Sequence, residues 1–179
     1  RKAGRIVGLV LTLALAVSLL SGCGQSKERL TFGTGGTAGT YYSYGGVLAQ
    51  YITNNTNVKV TAVSTGGSKA NLQSVQDGDF QLGFVQSDVM AYAWDGVRAF
   101  EQDGATHDFR TLGGLYAETV QLFTMDPDIK TVEDLKGKSV SIGAANSGVY
   151  FNALDVLNAG GITLDDICLL YTSDAADEE

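Results

Sequence analysis

Histidine, cysteine and proline are almost missing from this sequence: its 179 residues include one His, two Cys and one Pro. One imidazole and two thiols exclude a multi-histidine metal centre and a C-x-x-C pair. Any Ser–His–Asp arrangement would have to use His107, which sits in the polar stretch Asp103-Gly104-Ala105-Thr106-His107-Asp108 and reads as a surface-loop residue. Positive charge is also scarce, with 12 Lys and Arg against 20 Asp and Glu and a formal charge of −8. A nucleic-acid binder needs a basic stripe to displace counterions, so that class is excluded. Disorder is excluded from the other side, because 44% of residues are hydrophobic and only 18% charged. The length fits about one domain. Glycine, by contrast, is abundant at 23 residues, nearly twice the usual share of about 7%. Its spacing has no three-residue period, so it belongs to turns rather than to a collagen-like repeat.

The N-terminus reads as an address. Arg1-Lys2-Ala3-Gly4-Arg5 is followed by an apolar run of about 15 residues, Ile6 to Leu20, and then by Ser21-Gly22-Cys23, the layout of a secretory signal. The run is shorter than the 18 or so residues that favour a stable membrane span. Leu20-Ser21-Gly22-Cys23 resembles the bacterial lipobox, in which the Cys is acylated and becomes the new N-terminus; an ordinary signal or signal anchor is the plainer reading. Residues 1–22 are therefore expected to be a lipoprotein-type signal peptide, Cys23 the lipidation site and residues 23–29 a tether to the outer face of a membrane, in the periplasm or its equivalent. Cleavage removes Arg1, Lys2 and Arg5 and leaves the body more acidic still. Acylation also withdraws Cys23 from disulfide formation, so the fold is expected to stand without one. The basic region opens on Arg1 and looks clipped, and further residues are expected ahead of it.

From Leu30 onward the pattern is apolar strand, small-residue turn and amphipathic helix, repeated. Leu30-Thr31-Phe32-Gly33 is a strand candidate, followed by the turn Thr34-Gly35-Gly36-Thr37-Ala38-Gly39. Tyr41, Tyr44, Val47, Leu48, Tyr51 and Ile52 then recur at intervals of three and four, a helical face. Asn54-Asn55-Thr56-Asn57 ends that helix, and Val58-Lys59-Val60-Thr61-Ala62-Val63 alternates like a strand. A second unit follows: the turn Ser64-Thr65-Gly66-Gly67-Ser68, a helix carrying Leu72 and Val75, the strand Phe80 to Val85, and a helix through Tyr92 and Trp94 with Ser87-Asp88 as its cap. Thr111 to Met125 reads as two extended segments, one of them a candidate crossover. Beyond it lie a short helix and turn at Val132 to Gly137, a strand at Val140 to Gly143, the turn Ala144-Ala145-Asn146-Ser147-Gly148 and a helix from Tyr150 to Asn158 closed by Gly160-Gly161. This alternation predicts an α/β fold, a parallel sheet with helices on its faces.

The turns carry the chemistry. Gly33-Thr34-Gly35-Gly36-Thr37-Ala38 satisfies the letter of the dinucleotide fingerprint. The acidic residue needed about 20 positions later for the ribose is absent, since no Asp or Glu lies between Glu28 and Asp77. No Gly-Lys-[Ser/Thr] follows either, so neither nucleotide reading holds. What remains is a helix N-terminus with free backbone N–H groups and the Thr37 and Thr40 hydroxyls, a setting that attracts carboxylate without an Arg; turn-making glycines and capping threonines are the plainer alternative. Ser64-Thr65-Gly66-Gly67-Ser68 and Asn146-Ser147-Gly148 repeat this chemistry at other strand ends. Gln86-Ser87-Asp88 adds an amide and a carboxylate suited to the amino or hydroxyl end of a small ligand. In open parallel sheets ligands bind at the carboxyl ends of strands, where all these turns fall.

Four ordered motifs resemble the TAXI family, the extracytoplasmic solute-binding subunits of tripartite ATP-independent periplasmic (TRAP) transporters. They are Gly33 to Tyr42, Ser64 to Ser68 with Asn71-Leu72, Gly83-Phe84-Val85-Gln86-Ser87-Asp88, and Val140-Ser141-Ile142-Gly143 before Asn146-Ser147-Gly148. Ser43 departs from the Pro expected in many members. The resemblance implies a periplasmic-binding-protein-like clamshell that holds a small organic anion or amino acid, glutamate-like or dicarboxylate, and passes it to TRAP membrane subunits. It further implies members nearly twice as long, so the chain is expected to hold the first lobe (residues 30–115) and a crossover with part of the second (residues 116–167). Residues 168–179 resemble a translated adapter remnant and are expected to be non-native. The ligand site is expected at Gly36, Thr37, Gly39, Thr40, Tyr41, Ser64, Thr65, Gly66, Ser68, Gln86, Ser87, Asp88, Ser147 and Gly148. No cofactor, metal or catalytic residue is expected. An α/β enzyme acting on a small carboxylate is the alternative, and it lacks a nucleophile–base pair in this sequence.

Overall fold

The computed structural model describes residues 27–170. The expected signal peptide, the Cys23 lipidation site and residues 171–179 of the tail lie outside the described residues.

The chain builds two small parallel sheets with helices packed on them. In the first, β1 (Glu28–Gly33) lies between β2 (Val58–Val63) and β3 (Leu82–Gly83), giving the order β2-β1-β3. β1 pairs with β2 along its whole length, from Glu28↔Val58 to Gly33↔Val63, and with β3 through Phe32↔Leu82 and Gly33↔Gly83. The expected strand from Phe80 to Val85 is thus reduced to a two-residue ladder, flanked by hydrogen bonds from Gln81 N–H to Thr31 O (3.1 Å) and Phe84 N–H to Gly33 O (3.0 Å). A central parallel strand is covered on both faces, so burial deepens along β1 to Phe32 and Gly33.

Helices α1 (Thr40–Asn55), α2 (Ser68–Gln76) and α3 (Ser87–Asp95) follow the three strands. α1 stops as the polar run predicts: the Asn55 amide and the Thr56 hydroxyl donate to the Tyr51 and Ile52 carbonyls, each at 2.8 Å, which satisfies acceptors the last turn cannot pair itself. The buried face of α1 differs from the expected one. Tyr44, Val47 and Tyr51 are 46%, 66% and 65% exposed, while Gly45 and Ala49 are buried and Tyr41, Leu48 and Ile52 are partly so. Small residues let the helix lie close on the sheet, and the bulkier apolar residues beside them are displaced outward. The resulting core contains Phe32, Ala49, Val60 and Phe84, with the Phe32 and Phe84 rings edge to face at 4.6 Å.

The second sheet pairs β4 (Ser139–Ser141) with β5 (Cys168–Leu170), from Ser139↔Cys168 to Ser141↔Leu170. α4 (Gly148–Ala159) and single helical turns at Glu133–Leu135 and Leu164–Asp166 enclose a core of Leu135, Val140, Ile142, Leu157 and Ile162. A third cluster joins the halves, with Leu72 of α2, Val89 and Ala93 of α3 and Phe100 packed against Phe151 of α4. Polar ties cross the same seam. The Tyr92 hydroxyl donates to Asp155 at 2.6 Å, Arg98 pairs with Asp155 at 2.9 Å, and the Asn152 amide donates to Asp88.

Residues 111–125, read as extended segments, form no strand in either sheet. Leu112, Phe123 and Met125 are 86%, 79% and 96% exposed. A strand is defined by its neighbour, and among the described residues none is assigned to this stretch. Cys168 lies in β5, exposed and with a free thiol. Among the described residues, no helix is long and apolar enough to cross a membrane.

Candidate functional site

The strands of each sheet run parallel, so their carboxyl ends and the turns leaving them gather on one side. The first two turns are laced together. Thr34 is fully buried; its N–H and hydroxyl both donate to Val63 O, at 3.1 and 2.6 Å. In return, Ser64 Oγ donates to Gly35 O and Thr65 Oγ1 to Thr34 O, each at 2.9 Å, and Thr65 N–H to Gly35 O at 3.1 Å. Asn71, on α2 and likewise fully buried, ties in the third strand, its amide donating to Thr34 O (2.6 Å) and Phe84 O (2.8 Å). One side chain thus fixes the ends of β1 and β3.

The third turn joins through Ser68 and Gln86. Ser68 Oγ accepts the Gln86 N–H at 3.1 Å and also bonds the Tyr41 hydroxyl. Gln86, rather than Ser87 or Asp88, is the N-cap of α3. Asp88 lies in the first turn instead, where a carboxylate complements the helix dipole, and takes the Asn152 amide from α4.

The fourth turn closes the group. Gly67, at φ +90°, lies against Ser147, where an added Cβ would meet the Ser147 Cα at 3.3 Å. Gly148 sits under Gln86 so closely that a Cβ there would fall 2.0 Å from Gln86 Oε1; only glycine lets this side chain lie flat on the start of α4. Ser147 caps α4 by accepting the Tyr150 N–H at 3.1 Å. Gly39, Gly67, Gln86 and Ser147 are therefore four helix N-caps gathered at the strand ends. Helix N-termini concentrate unpaired N–H groups and positive potential.

Of the residues expected in the site, Tyr41, Ser64, Thr65, Ser68, Gln86, Asp88, Ser147 and Gly148 form this connected cluster. Gly36, Thr37, Gly39 and Thr40 belong to its first turn, with Thr37 and Thr40 exposed; Gly66 and Ser87 are exposed at the second and third. Ser64, Thr65, Ser68 and Ser147 already bond within the protein, so their role includes holding the turns in place. Sequence reasoning missed Glu118. Its carboxylate accepts from Gln86 Nε2 at 2.6 Å, and no local pattern marks it, because the two residues are 32 apart in sequence. Burial pushes the Tyr41 hydroxyl well above the ordinary tyrosine range; Glu118, Tyr116 and Asp88 add to that effect, and the Ser68 bond opposes it. Tyr41 is therefore a neutral hydrogen-bonding group at ordinary pH.

His107 lies apart from the turns, its ring 4.2 Å from that of Trp94 and its Nε2 3.0 Å from Trp94 O. An open groove of about 420 Å³ runs along the outer side of α3, lined by Met90, Trp94, Phe109 and Arg110 among others, and reaches Ser87 at the edge of the cluster. Among the described residues, no three His, Cys, Asp or Glu side chains converge as metal ligands would.

A family model described as NMT1-like matches residues 32–178. Among solved structures, the chain is similar to the alkanesulfonate-binding protein SsuA from Xanthomonas axonopodis pv. citri bound to MOPS, at 17% identity and a TM-score of 0.45. The match covers 83% of this chain and 49% of that one, so the chain spans about half its length.

Proposed function

The chain belongs to the NMT1-like family, and from that premise we propose that it is part of an extracytoplasmic solute-binding lipoprotein. In this reading it captures a small organic anion or amino acid, glutamate-like or dicarboxylate, at the four-turn cluster and hands it to the membrane subunits of a TRAP transporter. Cys23 carries the lipid that keeps it at the membrane face. The observation that carries the reading is the meeting of four helix N-caps around Tyr41, Ser68 and Gln86. Such an arrangement binds a carboxylate through backbone N–H groups and needs no Arg. The transporter class rests on the resemblance of the four ordered motifs to the TAXI family.

The reading is tested by thermal unfolding against a panel of dicarboxylates and amino acids. A solute at a hundred times its Kd stabilises the folded state by about 2.7 kcal/mol, which raises Tm by about 5–10 °C for a chain of this size. The solute released from the protein should be chemically unchanged by mass spectrometry. Failure of every solute to raise Tm contradicts binding, and recovery of a converted product favours the enzyme alternative.

A further inference from the structure

We propose that the outer side of α1, along Tyr44, Val47 and Tyr51, docks flat on the lipid bilayer that holds the acyl chain of Cys23. The inference rests on the lipoprotein reading above and adds to it the surface of the body that meets the membrane.

A helix with one side in water ordinarily carries charge on that side. α1 does not: none of its 16 residues is Asp, Glu, Lys or Arg. Gly45 and Ala49 turn inward to the sheet, and Tyr44, Val47 and Tyr51, three and four positions apart, form a stripe on the exposed side with Gln50 and Asn54 beside it. Tyrosine, apolar in its ring and polar at its hydroxyl, favours the level of lipid headgroups. The tether identifies the partner. Lys27 donates its ammonium to the Thr53 and Thr56 carbonyls at the C-terminal end of α1, where a cation complements the helix dipole. Cys23 stands four residues earlier, a length of chain that spans at most about 14 Å. A bilayer holding the acyl chain therefore lies close to the last turn of α1. Charge selects the same side. Residues 29–76 contain Arg29, Lys59 and Lys69 and no acidic residue, and every acidic residue but Glu28 lies from Asp77 onward. An anionic leaflet repels that acidic remainder and leaves the uncharged side of α1 to approach. α1 also starts at the four-turn cluster, at its Gly39 cap, and its 16 residues extend about 24 Å towards the tether. Lying flat, it holds the cluster beside the headgroups.

The test uses the full chain, processed and acylated in a bacterial host and reconstituted in vesicles of phosphatidylethanolamine and phosphatidylglycerol. A nitrobenzoxadiazole label is placed on Val47→Cys, with Cys168→Ser removing the competing thiol, and is compared with the same label on the exposed Cys168 of the unsubstituted chain. Nitroxide carried at the lipid headgroup should quench the label at position 47 and leave the label on Cys168 bright. Tyr51→Glu, alone and with Tyr44→Glu, alters exposed positions and should abolish that quenching while the acylated chain still sediments with the vesicles. Equal quenching at the two labels, or quenching that survives both Glu substitutions, overturns the inference while leaving the anchor intact. Energy transfer between labels at position 47 without quenching by the nitroxide assigns the stripe to a second copy, and protection that needs the transporter membrane subunits assigns it to a protein; either result overturns the inference. If mass spectrometry finds no lipid on Cys23, the lipoprotein reading itself fails and the inference fails with it.

Discussion

The two sheets are built from the same strand–turn–helix unit, yet they differ in how much of each strand is paired. β1 and β2 run side by side for six residues and bury Phe32 and Val60; β4 and β5 share three pairs. Between them, residues 111–125 carry strand-like composition and form no strand, leaving Leu112, Phe123 and Met125 in solvent. β propensity expresses a fit to a half-buried pleated surface rather than an intrinsic backbone preference. Strand composition therefore yields a strand only where a neighbouring strand provides that surface. The second sheet has its own core of Leu135, Val140, Ile142, Leu157 and Ile162, and Phe151 of α4 ties it to a cluster otherwise made by α2, α3 and the turn at Phe100.

The sharpest break of this comparison is Phe151→Ala against Phe123→Ala. Phe151 is 7% exposed and Phe123 79%. Truncating the first should cost about 3–5 kcal/mol, whereas the second should stay within about 0.5 kcal/mol, both measured by urea unfolding. Equal costs would mean that the stretch at 111–125 is packed in solution as firmly as the seam. Next in size is Asn71→Ala, which removes the donor to Phe84 O and one of two donors to Thr34 O. Leaving a buried carbonyl unsatisfied predicts a loss of about 2–3 kcal/mol, with earlier hydrogen exchange at β3 than at β2.

A smaller effect tests the seam. Tyr92→Phe deletes the hydroxyl bond to Asp155 but leaves the Arg98 pair in place, for a loss of about 1–2 kcal/mol. That bond, with desolvation and the Asp155 charge adding to it, pushes the Tyr92 hydroxyl from 10.0 up to about 12. A raised folded-state value means the stabilisation is complete below pH 10 and is lost as pH rises towards 12. The alkaline fall in stability should therefore shrink in Tyr92→Phe. The smallest effect lies on the acid side of the second sheet. The Thr163 N–H, the Lys136 ammonium and the Thr163 hydroxyl hold the Asp166 carboxyl down at about 2. Its contribution is present above the ordinary value of 3.8 and is lost as pH falls to about 2, so Asp166→Asn should flatten that part of the acid titration curve.

What the sequence revealed was local. The strand–turn–helix order, the polar stop of α1 and the turn residues that meet at the strand ends are all written within short windows. Two errors share one cause. On α1, Tyr44, Val47 and Tyr51 signal hydrophobicity more strongly than Gly45 and Ala49, but close approach to the sheet favours the small residues. At residues 111–125 the composition gives no sign of whether a neighbouring strand is assigned. The cap of α3 shifted by one residue, from Ser87 to Gln86, because the Gln86 backbone is held by Ser68. Glu118, Asn71 and Asn152 act through partners between 13 and 64 positions away, a range over which periodicity and spacing carry no signal.

That four separate turns act as one solute site is tested most directly by following backbone amide resonances while titrating the solute that raises Tm most. The amides of Gly39, Gly67, Gln86, Ser87 and Gly148 should shift together along a single saturation curve, and that curve should give a Kd that accounts for the rise in Tm. Shifts confined to one turn, or centred on Trp94 and Phe109 in the groove beside α3, would contradict it.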